Sequence, residues 1–406
     1  INGLKPLDRT LRWGMVGGGD GSQIGYIHRS AALRDNTFTL LAGAFDIDAE
    51  RGRQFGQRLG VDPDRCYADY QSLFRGEAAR PDGIQAVSVA TPNNTHYAIC
   101  RAALEAGLHV VCEKPAGVYT KAVREMNAAA EKSGKAFAMM FNQRTNHLYR
   151  KMKEIIDSGE MGAIKRTNWL ITDWYRTQAY YDSGDWRATW SGEGGGVLLN
   201  QCPHQLDMYQ WICGLPVKVD AHLHFGKWHD IEVEDDVTAY MEFENGATGV
   251  FITSTGDAPG SNRFELTLDK GKLVVENDKL YKYELDVPEP EFSKTNKVPF
   301  GQPKVTYSEV ETDGQNPQHV GVLNAFAAHI LHGAPLVAEG VEGIRGLTLS
   351  NAMHLSSWLG KMVEIPFDED LFLEKLNELR ANSRIKENVQ EVTFSTAGSY
   401  GSKVKE

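Results

Sequence analysis

One lysine stands where it could take part in chemistry. Lys114 follows a short apolar run, residues 108–112, and precedes a proline in Glu113-Lys114-Pro115. A second apolar run, residues 86–90, also ends in polar residues, in the segment Thr91-Pro92-Asn93-Asn94-Thr95-His96. If both runs are strands of one parallel sheet, their polar ends meet at its carboxyl edge, where ligands bind in doubly wound folds. The alternative is a surface lysine that merely precedes a loop.

A glycine cluster follows the first apolar run, residues 11–16, and leads into a predicted helix at about Ser22. Glycines let the backbone approach a pyrophosphate, and the helix N-terminus faces its negative charge. Gly17 and Gly19 match the opening of the dinucleotide pattern G-x-G-x-x-G, but Gly25 comes three residues later than the third glycine. A plain strand-to-helix turn is the alternative. We expect a lengthened cofactor loop whose contacts come from Gly17, Gly19, Ser22, Gln23 and Ile24.

An acidic residue, Asp46, lies at the end of the second apolar run, residues 38–45. A carboxylate at this place binds the adenosine ribose hydroxyls of a dinucleotide. It would repel the additional phosphate of NADP, so the sequence favours NAD. Arg51 and Arg53 are close enough in the chain to leave NADP possible, and Arg51 is counted among the expected cofactor contacts.

Composition limits the classes of partner. A length of 406 residues predicts two or three domains, and the net charge is 43 − 54 = −11, which argues against electrostatic binding of nucleic acid or anionic lipid. We find no membrane segment. The five cysteines are widely spaced and form no Cys-x-x-Cys pair, so a disulfide scaffold or thiolate zinc site is not expected. A reducing compartment, the cytoplasm, fits best, although a removed leader stays open.

The rhythm of the chain predicts two domains. Apolar runs at 11–16, 38–45, 86–90, 108–112 and 136–141 alternate with amphipathic stretches, which is typical of a doubly wound parallel sheet, a Rossmann fold. Later, Val237, Ala239 and Met241 alternate with polar residues before Asn245-Gly246. We expect a tight hairpin turn with positive φ at both of these residues, and hence an open, mainly antiparallel sheet. The expected domains are 1–143, which binds the dinucleotide, and 144–406, which binds substrate.

Two further expectations concern the end of the second domain. The stretch 286–318 is rich in proline, lysine and glutamate and reads as a long surface excursion. Two helices should follow, at about 319–331 and 342–359, ended by Gly333 and Gly360.

A co-linear set of motifs extends over most of the chain. Its members are Thr91-Pro92 with His96, Ala106-Gly107-Leu108-His109-Val110, Glu113-Lys114-Pro115, Asn142-Gln143-Arg144, Trp186-Arg187, Gly194-Gly195-Gly196, and Asn200, His204 and Asp207. With this set the chain resembles the Gfo/Idh/MocA oxidoreductase family, the NAD(P)-dependent dehydrogenases of sugars and cyclic polyols. The resemblance implies a Rossmann domain followed by an α/β domain with a large open sheet. It also implies cofactor contacts from Thr91, Pro92, Asn93, His96, Glu113, Lys114, Asn142 and Arg144.

The resemblance places Lys114 at the nicotinamide and the reacting hydroxyl, and gives His204 the role of the histidine in the later motif. The family pattern Asp-x-Gly-x-His-x-x-Asp begins here with Asn200-Gln201-Cys202-Pro203-His204. Asn200 therefore replaces an aspartate, and Cys202 a glycine. An amide can orient a substrate hydroxyl, but it cannot stabilise an imidazolium as a carboxylate would.

Alcohol oxidation needs a base that takes the hydroxyl proton as hydride leaves the carbon. Free lysine is mostly protonated at neutral pH, although burial and the positive ring of NAD⁺ would both lower its pKa. Histidine titrates near neutrality without such help. We therefore expect His204 to take the proton, Lys114 to stabilise the alkoxide and Asn200 to position the hydroxyl, with the reverse assignment of the base left open.

An aromatic stretch predicts the substrate contacts. Aromatic rings stack on the apolar faces of sugar rings, and arginine donates to hydroxyls. Besides Lys114, Asn200 and His204, the expected substrate contacts are Trp174, Tyr175, Arg176 and Trp186. A purely structural aromatic interface is the alternative for each of them.

No metal site is expected. His222, His224 and His229 precede acidic residues without a recognised ligand spacing. Cys202 lies two residues before His204, but small-residue packing accounts for it better than a nucleophile does. His319 is assigned no role beyond a pocket contact.

The sequence predicts an NAD(P)-dependent dehydrogenase that oxidises a ring hydroxyl of a sugar, glycoside or inositol. Two alternatives remain: a redox-neutral NAD-dependent glycoside hydrolase, and a nucleotide-binding protein without catalysis. The expected partner is a small-molecule sugar or cyclitol rather than nucleic acid or a membrane. By resemblance, the chain should form a homodimer or homotetramer.

Overall fold

The computed structural model describes residues 7–386 and Val389. The chain divides into two compact units. The first consists of Ile1–Thr145 with Asn316–Leu347, and the second of Asn146–Gln315 with Thr348–Glu406. The expected ranges, 1–143 and 144–406, differ from these units because residues 316–347 lie with the first one.

The secondary structure alternates in the first third of the chain and is strand-rich later. The strands are β1 (Leu11–Gly17), β2 (Phe38–Ala44), β3 (Ala86–Ala90), β4 (His109–Cys112), β5 (Phe137–Met139), β6 (Ile164–Ile171), β7 (Lys218–Phe225), β8 (Glu234–Glu242), β9 (Thr248–Ser254), β10 (Asn262–Leu268), β11 (Gly271–Glu276), β12 (Lys279–Leu285), β13 (Val305–Glu309) and β14 (Val363–Glu364). The helices are α1 (Gln23–Arg34), α2 (Ala49–Arg58), α3 (Tyr70–Ala78), α4 (His96–Glu105), α5 (Thr120–Ser133), α6 (His147–Ser158), α7 (Gln178–Asp182), α8 (Pro203–Cys213), α9 (Glu289–Thr295), α10 (Gln318–His332), α11 (Gly343–Leu359) and α12 (Glu369–Ala381).

The first unit is built on a five-stranded sheet in the order β2-β1-β3-β4-β5. All of its strand pairs are parallel, and helices connect the strands. This confirms the predicted doubly wound Rossmann fold. The strands are short apolar runs because both of their faces are covered, and all five residues of β3 are buried.

Helix α10 belongs to this unit because its apolar residues complete the same core. Phe326 stacks on Phe38 of β2, with ring centroids 6.5 Å apart. Asn324 donates a hydrogen bond to Asp35, which directly follows α1. This packing against distant parts of the chain cannot be read from the local sequence.

The second unit is built on a nine-stranded sheet in the order β13-β12-β11-β10-β6-β9-β8-β7-β14. The pair β6–β9 is parallel and the other pairs are antiparallel, which confirms the predicted mainly antiparallel sheet. Trp169 of β6 stacks on Phe264 of β10, with ring centroids 4.2 Å apart. These rings lie in the core beneath the sheet.

The β8–β9 turn differs from the expected one. Only Gly246 has a positive φ, 85°, so the prediction of positive φ at both turn residues is wrong. The loop is longer than two residues, because Phe243 and Ala247 still bond to each other across it. The Asn245 side chain accepts a hydrogen bond from the Ala247 N–H and can do so without a left-handed backbone.

The predicted surface excursion also contains regular structure, since α9 and β13 lie within residues 286–318. Strand β13 pairs with β12 at the edge of the sheet, and all five of its residues are exposed. The predicted helices that follow are α10 and α11, with Gly333 and Gly360 directly after them. Among residues 7–386, we find no helix long and apolar enough to cross a membrane.

Candidate functional site

The glycine loop joins β1 to α1 through backbone that only glycine adopts readily. Gly17 and Gly18 have φ values of 77° and 69°, and a Cβ on Gly17 would lie 2.5 Å from the carbonyl oxygen of Ala90. Ser22 caps the helix by accepting a hydrogen bond from the Gly25 N–H at 3.2 Å. The loop therefore leads directly into a capped helix N-terminus, as a pyrophosphate site requires.

Gly25 is the third glycine of the pattern, displaced by three residues. Its Cβ would lie 2.3 Å from the carbonyl oxygen of Gly18, so the start of the helix packs on the loop backbone. Arg29, one turn further on, donates to the same oxygen at 2.5 Å and lies 4.9 Å from the Phe55 ring. Burial lowers the pKa of Arg29. The sequence interpretation missed Arg29, although its spacing four residues after Gly25 was a usable signal.

Asp46 follows β2, as expected, and Arg51 binds it directly. The guanidinium donates to both carboxylate oxygens, at 2.7 and 2.6 Å, and this hydrogen bonding lowers the pKa of Asp46. Arg53 pairs with Glu50 instead. A surface cleft opens beside the pair, lined by Asp20, Arg51, Gln54, Gln57 and Arg58.

His96 connects the two loops at the carboxyl ends of β3 and β4. Its ring is fully buried, with Nδ1 2.7 Å from the Pro115 carbonyl oxygen and Nε2 2.8 Å from that of Thr91. Burial lowers the pKa of His96. The loop that carries Lys114 is thereby held against the loop that carries Thr91.

Glu113 fixes the Lys114 backbone from the other side. Its buried carboxylate accepts hydrogen bonds from His28 Nε2 at 2.7 Å and from the Lys114 N–H at 3.1 Å, and His319 Nε2 lies 3.8 Å away. Burial alone would raise the pKa of Glu113, but the His28 hydrogen bond and the neighbouring positive charges outweigh it and lower the pKa to about 2. A buried carboxylate with a lowered pKa thus stands behind Lys114.

Asn142 and Arg144 follow β5 in the short 3₁₀ helix Asn142–Thr145. Both side chains are buried. Asn142 donates to the side chain of Gln318, and Arg144 pairs with Glu342 at 2.5 Å. These contacts tie the end of the Rossmann sheet to the part of residues 316–347 that packs on it.

In the second unit, His204 lies in the first turn of α8 and is 7% exposed. Asn200 stands just before that helix. Its Nδ2 donates to Glu193, and its Oδ1 lies 3.4 Å from the Tyr180 hydroxyl. That hydroxyl donates to Asn200 Oδ1 and accepts a hydrogen bond from Arg187 at 3.1 Å. Polar groups of three segments therefore converge around Asn200.

The predicted aromatic residues fall into two sets. Arg176 lies 5.5 Å from the Trp174 ring and 5.2 Å from the Tyr180 ring. Arg187 likewise lies 4.5 Å from the Trp186 ring. Tyr175, by contrast, is 44% exposed. The structure brings Trp174, Arg176 and Trp186 to one cluster around Tyr180, which the prediction of substrate contacts had not included.

Both halves of the chain match family models. Residues 11–141 match the model described as "Oxidoreductase family, NAD-binding Rossmann fold", and residues 149–274 match the GFO/IDH/MocA C-terminal domain. A Bacillus subtilis (strain 168) protein named "Uncharacterized oxidoreductase YfiI" is 42% identical over 291 residues, which cover 68% of this chain and 72% of that protein. The chain belongs to the Gfo/Idh/MocA oxidoreductase family.

Characterised relatives and solved structures agree with this assignment. D-glucoside 3-dehydrogenase of Escherichia coli (strain K12) is 32% identical over 58% of this chain and 68% of that protein. An inositol dehydrogenase homologue from Azotobacter vinelandii, solved with NADH and myo-inositol, is 31% identical, with a TM-score of 0.74 over 90% of this chain and 100% of that one. The predicted NAD-binding domain and NAD-dependent oxidoreductase class, of the sugar and inositol dehydrogenase type, are confirmed.

A cluster behind Lys114 has the composition of a metal site. One ligand atom each from His28, Glu113 and His319 lies within 4.8 Å of the others. Histidine ligands of metals usually donate their second ring nitrogen to an oriented acceptor. His28 Nδ1 has no hydrogen-bond partner among the described residues, so the cluster is better explained as support for Glu113. No local pattern in the sequence indicated it, since its members are far apart in the chain.

His224, His229 and Cys202, which the sequence offered for metal or nucleophilic chemistry, each have a separate partner. His224 pairs with Asp236 and His229 with Asp235, so these histidines do not share a ligand set. Cys202 is buried, with Sγ 3.0 Å from the Thr253 hydroxyl. These contacts fit the expected packing role of Cys202.

Proposed function

We propose that this Gfo/Idh/MocA protein oxidises a secondary ring hydroxyl of a sugar, glycoside or inositol. NAD, when bound, supplies the hydride acceptor. The observation that carries the proposal is the rigid placement of Lys114. Its N–H is bound by the buried Glu113 carboxylate, and the next carbonyl along the chain, at Pro115, contacts the buried ring of His96. Such fixed placement is what a group acting on a developing charge needs.

The glycine loop and Asp46 support the proposal of a dinucleotide bound to the first unit. Gly17 and Gly19 let the loop pack closely on the ends of the neighbouring strands, where a Cβ would lie 2.5 Å from the carbonyl oxygens of Ala90 and Phe45, and the loop leads to a helix N-terminus capped by Ser22. Asp46, at the end of β2, is placed to bind ribose hydroxyls, and its ion pair with Arg51 would have to open or share its oxygens. We propose NAD as the preferred cofactor, because a paired carboxylate still disfavours the additional phosphate of NADP.

His204 is proposed as the base that takes the hydroxyl proton, and Lys114 as the cation that stabilises the alkoxide formed as hydride leaves. Asn200 is proposed to position the same hydroxyl through its side-chain oxygen. Trp174, Arg176 and Trp186, gathered around Tyr180, are proposed to contact the sugar ring, with Tyr175 at a more exposed place.

The test is the pH–rate profile of wild type, Lys114→Ala and His204→Ala, after a screen of cyclitols and glycosides with NAD⁺ and NADP⁺. We expect both variants to lose turnover, and the acid limb of the profile to disappear in His204→Ala if this residue is the base. Near wild-type turnover in both variants would refute these roles. Stoichiometric NADH release would support a dehydrogenase, and cleavage of a glycoside without NADH release would support the redox-neutral hydrolase.

Two further expectations go with this proposal. The chain should form a homodimer or homotetramer, and it should act in the cytoplasm. Light scattering of the purified chain and fractionation of the source cells would test them.

A further inference from the structure

A buried carboxylate that the sequence interpretation did not use lies next to Asn200. Glu193 is 2% exposed and stands on the loop before α8. Its Oε2 accepts a hydrogen bond from the Ala188 N–H at 2.7 Å, and its Oε1 accepts one from Asn200 Nδ2. An ionised carboxylate has no proton to donate, so it can accept only. Asn200 must therefore turn its NH₂ group toward Glu193.

This constraint decides what the other end of the amide can do. With Nδ2 held by Glu193, Asn200 Oδ1 points to the opposite side, 3.4 Å from the Tyr180 hydroxyl. On that side Asn200 can only accept hydrogen bonds. The amide thus presents the same acceptor to a hydroxyl as the aspartate that it replaces in the family pattern.

We propose that Glu193 is a positioning residue that makes Asn200 a one-sided acceptor for the substrate hydroxyl. This inference rests on the proposed function, since Asn200 is the group that contacts substrate. The Glu193 carboxylate would thereby influence the reaction without contacting the substrate hydroxyl. It would act through the Asn200 side-chain amide, which lies between them.

Charged and titratable groups from several elements face Glu193. Arg187 and Lys386 are positive neighbours, Glu234 is a negative one, and the Tyr181 hydroxyl group is close by. Burial raises the pKa of Glu193, and Arg187 and the Ala188 and Asn200 hydrogen bonds partly oppose the rise. Protonated Glu193 could donate as well as accept, and would no longer fix the amide.

The decisive variant is Glu193→Gln. The side-chain oxygen of the new glutamine would go on accepting from the Ala188 N–H, so its NH₂ group would meet the NH₂ group of Asn200. Asn200 then has to turn over and present a donor instead of an acceptor. We expect kcat to fall roughly tenfold or more, with KM changed less.

The double variant Glu193→Gln/Asn200→Asp exchanges the two groups. The amide introduced at position 193 would donate to one oxygen of the carboxylate introduced at position 200, and the other oxygen would again be a pure acceptor. We expect this variant to recover most of the kcat lost in Glu193→Gln. Asn200→Asp alone places a second carboxylate beside the buried Glu193, so we expect low activity with a pH profile displaced toward acid, where the pair shares a proton.

The matched control is Glu232→Gln. Like Glu193, the Glu232 carboxylate accepts a hydrogen bond from a backbone N–H, that of Trp190 at 2.6 Å. Unlike Glu193, it does not contact Asn200. Thermal unfolding of every variant shows whether it folds. Wild-type kcat in Glu193→Gln, or no recovery in a folded double variant, would overturn the proposal.

A second measurement does not depend on turnover. In protein labelled with ¹⁵N-asparagine, the Asn200 side-chain amide resonance, assigned with Asn200→Asp, should shift with pH as Glu193 titrates and lose that response in Glu193→Gln. If the Asn200 resonance shifted neither with pH nor on substitution of Glu193, the proposed pairing of Glu193 with Asn200 would be overturned. If wild type turned over no cyclitol or glycoside, the proposed function would fail, while this resonance would still decide whether Glu193 orients Asn200.

Discussion

Gly25 and Gly18 pack backbone against backbone: a Cβ on Gly25 would lie 2.4 Å from the Gly18 Cα as well as 2.3 Å from its carbonyl oxygen. This is the close approach of helix to loop that the third glycine of a dinucleotide fingerprint provides. The additional residues lie between these two glycines, around Gly21, where a Cβ would meet nothing within 4 Å. The loop is longer, and the packing that it serves is retained.

Gly25→Ala should therefore weaken NAD binding and destabilise the first unit. Since backbone rather than a flexible side chain opposes the new methyl group, we expect a loss of about 1–3 kcal/mol in the free energy of unfolding. Calorimetry with NAD⁺ and chemical denaturation would measure the two effects. Tyr26→Ala, at an exposed position on the same helix, serves as control, and a Gly25→Ala protein with wild-type affinity would contradict the packing argument.

Asp46→Ser should shift cofactor preference toward NADP. Removing the carboxylate removes its repulsion of the additional phosphate and releases Arg51, which is bound to Asp46 in this structure. We expect the ratio of kcat/KM for NADP⁺ to that for NAD⁺ to rise about tenfold or more. Asp46→Ser/Arg51→Ala should lose most of that gain, whereas Arg53→Ala, which breaks only the pair with Glu50, should not affect the ratio. An unchanged ratio in Asp46→Ser would mean that this carboxylate does not face the ribose.

Local sequence patterns predicted the strands and helices of this fold well where an element is buried on both faces, or where buried residues recur with the period of a helix or strand. The run 86–90 is β3 to the residue, because a strand covered on both faces is largely apolar; its one polar residue, the buried Ser88, accepts a hydrogen bond from Trp13. Strand β13 was missed because every one of its residues is exposed, so it has no buried apolar face, and it lies in a stretch rich in proline, lysine and glutamate. Residues 316–347 were placed in the second domain because only tertiary contacts, such as Phe326 on Phe38, show where they belong.

The same division applies to the site. Ser22 and Asp46 are held by neighbours a few residues away, so their placement follows from local spacing. Glu113 depends on His28 and His319, which are distant in sequence and look ordinary there. Glu193 was close to Asn200 in the chain, but its importance lies in which atom of the amide it binds, and spacing does not carry that information.

His109 should make the first unit sensitive to mild acid. Burial, and then the charges of Lys135 and His329, lower the pKa of His109 from 6.5 to about 4, and its Nδ1 accepts a hydrogen bond from the Ala136 N–H at 2.9 Å. An unfolded chain takes up a proton at this residue near pH 6.5, and the folded chain only near pH 4. The free energy of unfolding therefore falls as the pH drops through this window.

We expect this contribution to be roughly 1–2 kcal/mol, since the ring is only partly buried. His109→Gln keeps an acceptor for the Ala136 N–H but cannot titrate, so its stability should vary less between pH 7 and pH 4 than that of wild type. Urea titrations across that range measure the difference. His222→Gln, an exposed histidine on β7, should behave as wild type, and equal pH dependence in all three proteins would exclude His109 as the cause.

Trp174 and Tyr175 are neighbours in the chain, but substitution of Trp174 should affect stability and substitution of Tyr175 should affect substrate binding. Trp174 is buried, with Arg176 stacked 5.5 Å from its ring, so Trp174→Ala should lower the free energy of unfolding by about 3–5 kcal/mol. Tyr175 is largely exposed, so Tyr175→Ala should leave stability unchanged. If Tyr175 stacks on the sugar, its loss should raise KM about threefold to tenfold at constant kcat.

Tyr175→Phe separates the ring from its hydroxyl, because it keeps the stacking surface and should keep a KM close to that of wild type. Steady-state kinetics with the best cyclitol or glycoside, alongside thermal unfolding, measure both quantities in all three variants. A wild-type KM in Tyr175→Ala would remove Tyr175 from the proposed substrate contacts. Loss of stability in Tyr175→Ala would instead point to the structural role that was the alternative for every residue of this aromatic stretch.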